Sequence, residues 1–210
     1  MNEIFHRNLI TKIRDYFKSA RQKRLVVCGN NNKIFAANPK KADRMRFHIY
    51  GNHNEILVLT KKRFLADIYI GSASCSVDNC KIVIGEDSTA EDVTIRMMED
   101  NLRLNIGNDC MFSNDIHIFC SDIHTIYNSN HQIINRGGVL NIGNHVWVGM
   151  GVYISKNSVI ADNTVVGMKS VVAGKFEELN TVIAGNPARL IKHEVYWDRQ
   201  NIKNFEKNTK

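Results

Sequence analysis

The chain has 210 residues, with 28 Lys and Arg against 21 Asp and Glu for a formal charge of +7, and 43% of its residues are hydrophobic. That length suits one domain with a substantial core. The positive charge is scattered rather than gathered into a concentrated basic motif, so a nucleic-acid partner is not expected, while an anionic small molecule or a polyanionic surface is compatible. The five cysteines, with no Cys-x-x-Cys pair, argue against a zinc knuckle or a disulfide framework and for reduced, mostly buried thiols. No apolar run is long enough to span a bilayer and no secretory leader opens the chain. A cytoplasmic protein is therefore expected, with peripheral membrane association still compatible.

Residues 3 to 19 place Phe5, Leu9, Ile13 and Phe17 four apart, with Arg7, Lys12, Arg14 and Lys18 elsewhere. This spacing predicts an amphipathic helix within residues 1 to 20, covering the open end of a solenoid. From Leu25 to Ile84 a loose repeat appears as Gly29-Asn30-Asn31-Asn32-Lys33-Ile34, Gly51-Asn52-His53-Asn54-Glu55-Ile56 and Ser76-Val77-Asp78-Asn79-Cys80-Lys81-Ile82. Each unit is an Asn-rich corner followed by a short apolar strand, and the set reads as degenerate coils of that solenoid.

A stricter pattern begins at Ile84-Gly85-Glu86-Asp87-Ser88-Thr89, returns at Ile106 and Phe112, and becomes continuous from Ile142, with aliphatic residues at 142, 148, 154, 160, 166 and 172. A period of six walks around a helix, but it suits one short strand plus one turn. A second inward series falls at Val146, Val152, Ser158, Thr164 and Ser170. The residues before it, His145, Gly151, Asn157, Asn163 and Lys169, are rich in types that tolerate positive φ. Three strands and three corners make a triangular coil of about 18 residues, stacked on the next at about 4.8 Å. Residues 125 to 140 break the register and predict a loop leaving a corner, where a binding wall belongs.

After Gly174 the pattern lapses, resumes at Thr181 to Ala184 and ends in Gly185-Asn186-Pro187-Ala188-Arg189. The solenoid is thus expected over 21 to 189. Residues 190 to 210 form a polar, partly helical tail, with Tyr196 and Trp197 packing back.

His124 stands just after the register breaks, in Ser121-Asp122-Ile123-His124, and an imidazole can take a proton from an attacking hydroxyl. His117, His124 and His131 lie seven apart, which fits no standard metal-ligand signature, and no metal is expected.

Ile142-Gly143-Asn144-His145-Val146-Trp147-Val148-Gly149, the hexads to Ala173 and the closing Ala184-Gly185-Asn186-Pro187-Ala188-Arg189 closely resemble the hexapeptide-repeat acyltransferases. Within them the chain is most similar to bacterial sugar and capsular polysaccharide O-acetyltransferases. The resemblance implies an all-β, left-handed parallel β-helix solenoid with a short N-terminal helix and a C-terminal extension. It also implies acetyl-CoA as cosubstrate, a sugar or polysaccharide acceptor, and a homotrimer with sites between subunits. His124 matches the general base, Asp115 and Trp147 match acceptor-side positions, and Asp122 is a candidate to orient the imidazole. An aspartate at 115 departs from the asparagine of galactoside enzymes. Gly149, Gly151, Gly167 and Lys169 match corners that line the pantetheine arm, while Lys175 and Arg189 match cations near the CoA phosphates. Competing expectations are an amino-sugar N-acetyltransferase and a noncatalytic solenoid scaffold. A serine acetyltransferase is disfavoured, because this chain has no room for the long helical domain such enzymes carry before the solenoid.

Overall fold

The computed structural model describes residues 3–5, 25–42 and 44–208. They form a parallel β-solenoid with three faces. One face stacks Glu3–Phe5, Lys33–Ala36, Glu55–Val58, Lys81–Ile84, Arg103–Ile106, Val139–Ile142, Val159–Ile160 and Lys175–Phe176 in that order. A second stacks Met111–Phe112, Trp147–Val148, Val165–Val166 and Val182–Gly185. The third runs from Leu25–Cys28 through Arg46–Tyr50, Phe64–Ile70, Ile116–Phe119 and Tyr153–Ser155 to Val171–Val172. The long strand Thr89–Met97 turns from the second face to the third, pairing Met111 with Thr89 and His117 with Thr94.

The hexad pattern folds this way because its two inward series share one dry interior. Ile142, Val148, Ile154, Ile160, Val166 and Val172 are buried, and so are Val146, Val152, Ser158, Thr164 and Ser170. The hydroxyls in the second series are tolerated because each finds a partner: Ser158 Oγ donates to the Val172 carbonyl and Ser170 Oγ to that of Gly167. The corners take positive φ at His145, Gly151, Asn157, Asn163 and Lys169. Stacked corners are tied by side chains, Asn108 N–H donating to Asn144 and Asn144 N–H to Asp162 at 2.9 and 2.7 Å. The looser upstream units are coils too. Ile34, Ile56 and Ile82 stand in register, and the buried Asn54 amide bridges Asn32 Oδ1 and the Val77 carbonyl.

The helix expected over residues 3 to 19 is overturned where that segment is described. Glu3–Phe5 is a strand, paired in parallel with Lys33, Ile34 and Phe35. An end coil presents a row of unpaired amides and carbonyls, and an added strand satisfies them where a helix laid across it does not. The remainder of that expectation, residues 1, 2 and 6 to 20, lies outside the described residues. Helix among the described residues is limited to the single turn Pro39–Ala42 and to Ile202–Asn208 near the C-terminus.

The chain leaves the last described coil through an antiparallel hairpin, Val182–Gly185 with Ala188–Lys192, around Pro187. The tail then folds back across one corner. Trp197 lies flat on His145, ring centroids 4.1 Å apart, and donates from Nε1 to the His145 carbonyl at 2.9 Å. Tyr196, expected to pack beside it, is 76% exposed.

Candidate active site

The break in the register is a complete excursion. Asn105 faces Asn141 and Asn108 faces Asn144, each 36 residues on, whereas Asn144 and Asp162 are 18 apart. A detour the length of a full coil therefore leaves after Ile116–Phe119 and returns at Val139–Ile142. Its tip is a small hairpin, bridged at Tyr127 and Ile133, with Tyr127 stacked on His131.

The base of the excursion is cinched. Lys156 Nζ, one coil on, donates to Asp122 Oδ2 and to the Asn135 carbonyl at 2.7 Å. Asn135 Nδ2 donates to Asp122 Oδ2 at 2.9 Å and to the His124 carbonyl at 2.8 Å, and its Oδ1 accepts the Ile126 amide. On the return leg Gly137 N–H donates to Glu99, and Asn157 Nδ2 to the Arg136 carbonyl. A Cβ on Gly137 would stand 2.4 Å from the Cys120 carbonyl oxygen, so only glycine lets the leg close. The Lys156 hydrogen bond, with that of Asn135, outweighs partial burial and holds the Asp122 carboxyl below its ordinary value.

His124 is exposed, and its ring makes no hydrogen bond among the described residues. Asp122 does not touch that ring. Its carboxylate reaches the His124 carbonyl through Asn135, and its own carbonyl accepts the His124 amide at 2.7 Å, in place of the imidazole contact expected from sequence.

Asp115 occupies the preceding corner with φ 58, on the other side of Ile116–Phe119. Its Oδ1 accepts from His117 Nε2 at 3.0 Å and its Oδ2 from Lys169 Nζ at 3.3 Å. Those two bonds, His117 first, lower its pKa. His117 in turn stacks on Tyr153, one coil away, at 4.5 Å, with Phe119 alongside. Asp115, Gly151 and Lys169 thus share one corner column, with His124 five residues beyond the far end of the strand that follows Asp115.

Trp147 does not join them. It lies on the second face, 40% exposed, 5.9 Å from the Trp197 ring. At the glycine-rich corners, the Gly149, Gly151, Gly167 and Lys169 amides are committed to the ladder, donating to the Val166, Asn114, Ile183 and Met150 carbonyls. The intervening Met150 and Met168 amides donate to no group among the described residues. Lys175 and Arg189, both exposed in the final coil and its hairpin, pair with no carboxylate among the described residues.

Of the three histidines spaced seven apart, His117 is bonded to Asp115 and His131 is stacked at the hairpin tip. No group of three or more His, Cys, Asp or Glu side chains among the described residues is placed to hold an ion. Cysteine nucleophiles are equally disfavoured in the interior. Burial pushes the Cys80 and Cys110 thiols up to about 11 and Cys120 up to about 12. Sequence reasoning missed Lys156, Asn135 and Tyr153, and weighed His117 only as a metal ligand. His117 and Tyr153 become neighbours only once the excursion is counted as one whole coil.

No family model matches the chain. A polysialic acid O-acetyltransferase of Neisseria meningitidis is 34% identical over 178 residues, which cover 84% of this chain and 80% of that relative. Among solved structures, the polysialic acid O-acetyltransferase OatWY is 26% identical with a TM-score of 0.56, over 87% of this chain and 90% of its own. The polySia specific acetyltransferase NeuO matches in fold at a TM-score of 0.61 and 22% identity, over 88% of this chain and 93% of its own. The chain belongs to the hexapeptide-repeat acyltransferases, the left-handed parallel β-helix enzymes. It is an acetyl-CoA-dependent O-acetyltransferase. No helix among the described residues is long and apolar enough to cross a membrane.

Proposed function

We propose that the chain acetylates a hydroxyl of a sialic acid polymer or a closely related anionic glycan, with His124 as the general base. The observation that carries this reading is the cinched excursion. Lys156, Asp122 and Asn135 fix the backbone at His124 and leave its ring free, beyond one end of a strand whose other end presents Asp115. His124 lies five residues past the end of that strand and Asp115 immediately before its start, so the two flank Ile116–Phe119.

His124 takes the proton of an acceptor hydroxyl as its oxygen attacks the thioester carbonyl of acetyl-CoA. The new C–O bond forms, the C–S bond breaks, and the proton returns to the departing CoA sulfur. No acyl-enzyme intervenes. Asp115, held ionised by His117 and Lys169, accepts hydrogen bonds from neighbouring sugar hydroxyls.

Acetyl-CoA lies along the corners of Gly149 to Gly151 and Gly167 to Lys169. There the Met150 and Met168 amides are the free donors for the pantetheine and for the oxyanion. Lys175 and Arg189, without carboxylate partners, suit its phosphates.

Trp147 reaches this site from a neighbouring subunit. It sits on a different face of its own chain from Ile116–Phe119, so a homotrimer supplies what one copy lacks. Ile126, Ile134, Trp147, Met150 and Met168 are 40–68% exposed, an apolar surface of the kind oligomers cover.

The test is acetyl-CoA turnover against sialic acid oligomers, polysialic acid and neutral sugars, with His124→Ala beside the wild type. Acceptor-dependent CoA release that falls about 10²-fold or more in a mutant of unchanged circular dichroism is expected. Undiminished turnover in that mutant would remove His124 as the base.

A further inference from the structure

The third face carries an outward row that the reaction as described does not use. Paired by strand register, it runs His48, Tyr69, Arg96, Phe119. These positions alternate with the buried Phe47, Ile68, Ile95 and Ile118, so all four side chains point away from the core. His48 and Tyr69 are stacked, centroids 4.8 Å apart and planes within 14°. The Arg96 guanidinium lies over the same tyrosine ring, 4.9 Å from its centre. Phe119 closes the row beside His117 and Tyr153, between the corners of Asp115 and His124.

Two features of this row point to a ligand. It holds no carboxylate, and the acid beside it, Asp67, is already taken by Arg46. Arg96 makes no ion pair with an acidic side chain among the described residues. The row also presents flat rings at the coil spacing, about 14 Å from His48 to Phe119, a length that spans more than one sugar ring. Aromatic faces pack against the apolar faces of sugars, and a guanidinium forks onto a carboxylate.

We infer that this row is an acceptor track for a carboxylate-bearing glycan chain. Arg96 pairs with a sugar carboxylate, and Tyr69 and Phe119 lie under sugar rings. The track leads the polymer from the N-terminal coils to the hydroxyl beside His124, while acetyl-CoA enters from the C-terminal coils. This rests on the reading of the acceptor as an anionic glycan, and it adds that the enzyme recognises several units of the chain.

The test uses the full-length protein and its Arg96→Ala, Arg96→Lys and Tyr69→Ala variants, with thermal midpoint and oligomeric mass measured for each. Affinity electrophoresis through gels containing polysialic acid should retard the wild type and lose that retardation in Arg96→Ala and Tyr69→Ala, with part of it restored in Arg96→Lys. The ratio of KM for the polymer to KM for a sialic acid trimer should rise about tenfold in Arg96→Ala, as loss of one charge-assisted contact implies. Wild-type protein that is not retarded, or variants retarded equally with it, would overturn the track. A change of oligomeric mass in Arg96→Ala would also overturn it, by showing the face to be a contact between copies. Acetylation of the trimer by the wild type decides the acceptor reading separately.

Discussion

The coils between residues 139 and 172 and those between 25 and 106 solve one packing problem with different amounts of chain. In the first group stacked positions lie 18 residues apart, while in the second they lie 21 to 27 apart. Both interiors are equally dry: Ile154 and Ile82 are each 0% exposed. The extra residues of the longer coils go into corners, where buried Asn32 and Asn54 carry the ladder from coil to coil, and into longer outward rows. Inward periodicity therefore secures stability, and departures from it mark where the molecule presents chemistry. The excursion after Phe119 is the extreme case.

The sharpest way to break this comparison is to cut the same core atoms from each group. Ile154→Ala and Ile82→Ala are each expected to cost about 2–5 kcal/mol, read from denaturant midpoints at a common slope. A cost near zero for Ile82→Ala would mean that the irregular coils are not packed as tightly as the regular ones.

A smaller loss is expected from loosening the excursion without touching the core. Lys156→Ala frees Asp122 and the Asn135 carbonyl, so acetyl transfer should fall about tenfold through kcat. Stability should change by less than about 1 kcal/mol. Transfer equal to wild type would show that His124 does not depend on this clamp.

The smallest effect concerns the tail. Burial opposes ionisation of Asp109, but the hydrogen bonds from His145 and Arg199 outweigh it and hold the carboxyl below its ordinary value of 3.8. A depressed carboxyl stabilises the docked tail above pH 3.8, and the contribution disappears as pH falls through the lower folded value. Tryptophan fluorescence should report undocking of Trp197 only below pH 3.8, and Asp109→Asn should abolish that transition. A transition near neutral pH would assign the docking to another group.

Much of the coil is legible in the sequence. Ile142, Val148 and Ile154 announce the inward column, and His145, Asn157 and Lys169 announce the positive-φ corners, because a period of six repeats the same environment at every step. The N-terminal segment is not legible. Its four-residue spacing matches a helix, yet Glu3–Phe5 pairs with Lys33–Phe35, since an open sheet edge outweighs local propensity. Around His124, the break in register shows where to look, but Asp122 reads as a partner of the ring when its carboxylate is held by Lys156 and Asn135.

A repeating fold writes its backbone into its own residues, so the solenoid and the position of its interruption can be read from one chain. Contacts that span coils cannot. His117 meets Tyr153, Lys156 meets Asp122 and Trp197 meets His145 across 36, 34 and 52 residues. Those distances pass through an excursion or a returning tail whose length has no period. Side chains there become neighbours only when stacked strands, at fixed spacing and register, carry them to the same corner.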